Sequence, residues 1–118
     1  MTSDDYAHIV AERVAAVVSN MDDSWKRPAV TLQRMLRERI TGLGVEYEVA
    51  PNVQAVEVKP VADLLADIRQ EATDQVAYTV ALRERFPEVS ADADNLIALS
   101  VQAMGCVERM AADLERVA

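Results

Sequence analysis

Asp63, Asp67, Glu71 and Asp74 stand at spacings of four, four and three. Residues three and four apart share one face of an α-helix, so a helix through this stretch gathers its carboxylates into a column. Carboxylate oxygens are the ligands that hard divalent cations such as magnesium prefer, and two of them one turn apart can share a cation. Asp67, Glu71 and Asp74 are therefore the candidate metal ligands, with Glu71 and Asp74 in an E-x-x-D spacing. The competing expectation is a solvated acidic face, because the column points away from the apolar stripe of the same stretch. On that expectation no metal ligand, catalytic residue or cofactor is assigned.

All-helical nucleotide pyrophosphohydrolases hold magnesium through ExxE and ExxD pairs. This chain is similar to them in its single ExxD and departs from them in having no ExxE before it. A magnesium-dependent, pyrophosphohydrolase-like enzyme is thus the alternative function, not the favoured one. His8, the single histidine, has only Glu12 one turn away as a local partner, an ordinary exposed helical pair. Cys106, the single cysteine, can form no internal disulfide and has no histidine or lysine close by in sequence to activate it. It is expected as a small apolar residue at the border of a helix seam. The chain lacks a glycine-rich phosphate loop, a G-x-S-x-G elbow and zinc-ligand spacing.

The elements that must position these residues follow from periodicity. Alternate steps of four and three from Val61 land on Leu65, Ile68, Ala72, Gln75, Thr79, Leu82 and Phe86. The same steps from Leu96 land on Ser100, Ala103, Val107, Met110, Leu114 and Val117. Each series is a coiled-coil seam. Pro87 forces a break between them, so the spacing predicts a long antiparallel helical hairpin over about 60–86 and 90–117, opened by Pro60 and capped at Ser90. Pairing positions whose numbers sum to about 179 sets Thr79 against Ser100. Each helix would span roughly 38 Å, so the pair projects past the rest of the chain or meets another subunit.

Before this hairpin the pattern predicts a helix over about 3–20, capped by Ser3 and burying Tyr6, Val10, Val14, Val17 and Met21. A second is expected over about 25–42, with Trp25 packed in its lead-in. It buries Ala29, Leu32, Leu36, Ile40 and Leu43 and ends at a left-handed Gly42 or Gly44. From Val45 the period becomes two, with Ala50, Pro51 and Asn52 as turn residues, which predicts a β-hairpin over about 45–59. The expected fold is mainly α: one domain, 1–118, with four helices and a small β-hairpin inserted between helices 2 and 3.

With 118 residues and a net charge of −8, the chain has room for a core and carries its acidic excess beyond residue 44. Such a surface repels phosphates, so nucleic acid is not an expected partner despite the basic patch of Lys26, Arg27, Arg34 and Arg37, and apolar runs far shorter than the roughly 18 residues of a membrane span make the membrane no expected partner either. The acidic surface also admits a further alternative, an inhibitor that mimics nucleic acid. One cysteine and an acidic start, MTSDDYAH, indicate a cytoplasmic protein. Ten arginines against two lysines fit a bacterial or phage coding sequence. Ile97, Val101 and Met104 widen the apolar arc of the last helix beyond one seam, and Gly105 marks a place for close backbone approach. These four are the interface candidates. The favoured function is non-enzymatic protein–protein interaction, as an assembly or regulatory factor that self-associates as a homodimer.

Overall fold

The computed structural model describes residues 1–42 and 47–117. Four long helices form two antiparallel pairs, with a two-stranded hairpin between the second and third, so the chain is mainly α. Its contacts divide it into two compact units, Met1–Lys59 and Pro60–Ala118.

In the first unit, α1 (Ser3–Val18) packs on α2 (Lys26–Gly42). The N-cap of α1 is Thr2 rather than the expected Ser3: Thr2 Oγ1 accepts the Asp5 N–H at 3.0 Å, and Asp5 Oδ2 accepts the Thr2 N–H at 3.1 Å. The buried line of α1 is Ala7 and Ala11, flanked by half-buried Tyr6, Val10, Val14 and Val18. Val17 and Met21, expected inside, are exposed. The reason is that two alanines let α2 come close along that line, and the stripe follows the close approach instead of the largest side chains. Ile40 is the buried anchor of α2, and Gln33 Nε2 donates to the Ala11 carbonyl at 2.8 Å across the pair. Gln33 thus takes the inner place expected of Leu32, which is exposed, as is Trp25 in the 3-10 turn Asp23–Trp25 before α2. Gly42 is the last residue of α2 and has no positive φ. Leu43, Gly44 and Val45 lie outside the described residues.

The hairpin is shorter than its alternating pattern suggests. Strand β1 (Glu48–Ala50) pairs antiparallel with β2 (Val53–Gln54), in the register Glu48 with Gln54 and Ala50 with Val53. Asn52, with φ 62°, turns the chain in the left-handed region that asparagine tolerates. Val56 and Val58, expected as a strand, belong to a single helical turn, Ala55–Val58. Glu57 starts that turn by accepting the Gln54 N–H at 2.7 Å, a helix-start bond that overrides the two-residue alternation. The ribbon is held beside the start of α1: Gln54, 0% exposed, donates through Nε2 to the Met1 carbonyl at 3.2 Å, and the Tyr6 and Tyr47 rings lie 6.4 Å apart.

In the second unit, α3 (Val61–Arg85) and α4 (Ser90–Val117) form the long antiparallel hairpin. Pro60 is the N-cap residue of α3 rather than its first helical one, and its carbonyl accepts the Asp63 and Leu64 N–H groups at 3.0 and 3.1 Å. Phe86 leaves the helical region ahead of Pro87, as the residue before a proline does. A 3-10 turn, Pro87–Val89, then leads directly into α4. Ser90 is the first residue of α4 and its hydroxyl donates back to the Pro87 carbonyl at 2.6 Å, so it does not cap by accepting as expected.

Candidate functional site

The α3–α4 seam encloses small side chains. Ala72 and Thr79 of α3 and Ala93, Ser100 and Val107 of α4 are its buried residues. Ala72 with Val107 and Thr79 with Ser100 fit the 179-sum register. Polar groups inside the seam are satisfied locally. Thr79 Oγ1 donates to the Gln75 carbonyl at 2.6 Å, and Ser100 Oγ lies 3.0 Å from the Leu96 carbonyl and 3.3 Å from Gln75 Oε1, its one proton serving either. Near the turn, Arg83 Nε donates to Asp94 Oδ1 at 2.9 Å and clasps the two helices. Neither Gln75 as a cross-seam acceptor nor this clasp was foreseen in the sequence, although 83 and 94 nearly satisfy the same sum.

Because the seam is narrow, large apolar side chains remain at its borders. Leu82, Leu96, Leu99, Met110 and Leu114 are exposed, with Leu99 at 56%. Of the four interface candidates, Val101 is 66% exposed while Ile97, Met104 and Gly105 are half-buried. Val101 and Met104 line an open, apolar groove of about 400 Å³ whose other wall is Ala72, Val76 and Ala77 of α3. A second apolar groove lies at the far end of the hairpin, between Val61 and Leu65 on one side and Ala111 and Leu114 on the other. The close backbone approach expected at Gly105 is not made among the described residues. A Cβ built there would meet only Arg109 Nη1, at 3.4 Å.

The carboxylate column lies along α3 with Asp63, Asp67 and Glu71 exposed and Asp74 half-buried. Among the described residues, no group of three or more histidine, cysteine, aspartate or glutamate side chains is gathered closely enough to hold a metal ion. Spacings of four, four and three spread the column along the helix.

His8 Nε2 lies 3.1 Å from Glu12 Oε1, with both side chains about two-thirds exposed at 66% and 68%. Cys106 is exposed rather than apolar and packed, and Arg109 Nη2 donates to its Sγ at 3.2 Å. This arginine, one turn away, is the basic neighbour that histidine and lysine do not supply in the sequence around Cys106. The basic residues of α2 are all exposed, and Lys26 pairs with Asp23 at 3.1 Å and Arg34 with Glu38 at 3.5 Å.

No helix among the described residues is long and apolar enough to cross a membrane. Compared with known proteins, the chain matches no family model, no curated protein and no solved structure.

Proposed function

We propose that this chain is a non-enzymatic protein-interaction factor of the cytoplasm, an assembly or regulatory component that associates with itself through the α3–α4 hairpin. The supporting observation is the mismatch between what the hairpin buries and what it carries. Its enclosed residues are alanine, serine, threonine and one valine, while leucines 82, 96, 99 and 114 are 40–56% exposed. Full burial of a leucine stabilises by about 1.5–3 kcal/mol, so each of these side chains leaves a substantial part of that contribution unused. A helix pair in which the larger apolar groups stand outside the seam gains most by adding helices to its flanks, and a second copy supplies helices of the same kind.

The groove at Val101 and Met104 marks one such flank. Val101→Glu places a charge on it without disturbing the buried seam, since Val101 is 66% exposed. The expected outcome is a shift toward the monomer in sedimentation velocity at matched concentration, with an unchanged helical circular dichroism spectrum. A variant that sediments identically to the parent chain contradicts the assignment of this flank.

A further inference from the structure

Resting on the protein-interaction reading, we infer that the flank of the α3–α4 hairpin opposite Val101 receives a basic amphipathic helix of another protein. Helical spacing separates the two flanks. On α4, Ile97, Val101 and Met104 turn to one side of the buried line Ala93, Ser100 and Val107, and Leu96, Leu99 and Met110 turn to the other. On α3, the line through Ala72 and Thr79 has Val76 on the first side and Ile68, Tyr78 and Leu82 on the second. These six side chains of the second flank are 40–76% exposed. In that state they leave on the order of 500 Å² of apolar surface, within the range of the largest patches that monomers carry, which are often functional. From Ile68 to Leu82 is about 21 Å along α3. A partner helix of about four turns, laid between α3 and α4 with its apolar stripe inward, therefore covers the patch.

Charge selects the kind of helix. Glu71 follows Ile68 by one turn, Asp74 precedes Tyr78 by one turn and Asp92 precedes Leu96 by one turn, so carboxylates border the patch on both helices. Glu71 and Asp92 are exposed and Asp74 is half-buried. Arg85, on the same side, is held over the Phe86 ring at the turn, 5.4 Å from its centroid. A second copy presenting this flank would set carboxylates against carboxylates, which repulsion disfavours. Lysines and arginines beside an apolar stripe match both the patch and its rim. The Val101 flank carries no such bias, with Arg69 on α3 and Glu108 on α4, and stays the flank for self-association. Glu71 and Asp74 then act as the rim of a docking face, a use of the carboxylate column that needs no metal.

The probe is a synthetic peptide of about 21 residues, roughly 32 Å as a helix, with leucine at the a and d positions of each heptad and lysine elsewhere. A control peptide keeps the leucines and carries glutamate in place of lysine. Titrated with the full-length chain and read by fluorescence anisotropy, the lysine peptide is expected to bind, more weakly as salt is added, and the glutamate peptide not to bind. Leu99→Ser should weaken binding about tenfold and Glu71→Gln with Asp74→Asn about fivefold, while the matched Val101→Ser on the other flank leaves it unchanged. All these side chains lie outside the buried seam, and an unchanged circular dichroism spectrum confirms that each variant folds. Cys106, exposed and one turn before Met110, reports on the parent chain: the lysine peptide should slow its reaction with a thiol reagent. Absence of binding, equal binding of both peptides, binding that survives Leu99→Ser or an unprotected Cys106 overturns the proposal. Sedimentation of the chain without peptide reads self-association separately, so either reading can fail while the other stands.

Discussion

Thr2 and Asp5 show how much of a helix start resides in two side chains. Each satisfies the backbone N–H of the other, and the bonds from Thr2 hold the Asp5 carboxyl below the usual carboxylate range. A carboxylate whose pKa is depressed by folding stabilises the fold fully at pH values above its unfolded pKa, and loses that contribution as pH falls through the depressed one. Thr2→Ala is expected to cost about 1 kcal/mol, read as a lower melting temperature at neutral pH. Asp5→Asn should destabilise at neutral pH and flatten the acid limb of the melting-temperature profile below about pH 4; an unchanged limb would remove Asp5 from it. In the sequence the cap looks one residue later, at Ser3, because serine is an equally good capping type, and only the extended backbone at Thr2 separates the two. Misplaced burial on α1 and α2 has a similar origin. Val17 and Leu32 are the more apolar residues, yet alanine at 7 and 11 and the Gln33 amide decide where the helices touch.

At the scale of elements, the long hairpin was legible because more than three heptads on each side of Pro87 repeat one period, and a proline break leaves few other topologies. Thr79→Cys with Ser100→Cys, in a Cys106→Ser background, should form an intrachain disulfide that migrates as a faster monomer on non-reducing gels. Failure to close under oxidising conditions would contradict the register. The short ribbon was only half legible. Five or six alternating residues satisfy a strand pattern by chance, and the Gln54–Glu57 helix-start bond that converts Ala55–Val58 to a helical turn is a three-residue spacing hidden within it. The carboxylate column is an element-scale matter too. Glu71→Gln with Asp74→Asn removes two like charges one turn apart, so thermal stability should rise slightly or stay unchanged. Melting curves with and without magnesium check this: a magnesium-dependent stabilisation of the parent chain that the double variant loses would revive the hydrolase alternative.

For the whole molecule, the sequence made fold class legible and left function open, because helix periodicity reports which residues face inward but not what meets those left outside. The widened arc of the last helix was visible as Ile97, Val101 and Met104. That Gly105 has no backbone above it among the described residues needed coordinates. A net charge of −8 opposes association at low ionic strength, so added salt should strengthen it by screening the like-charged copies. The central claim is self-association through α3–α4, and multi-angle light scattering across the micromolar range at about 0.15 M salt tests it most directly. The expected result is a mass of twice 13.0 kDa that falls toward the single-chain value on dilution and in Val101→Glu. A constant 13.0 kDa at every concentration would contradict it.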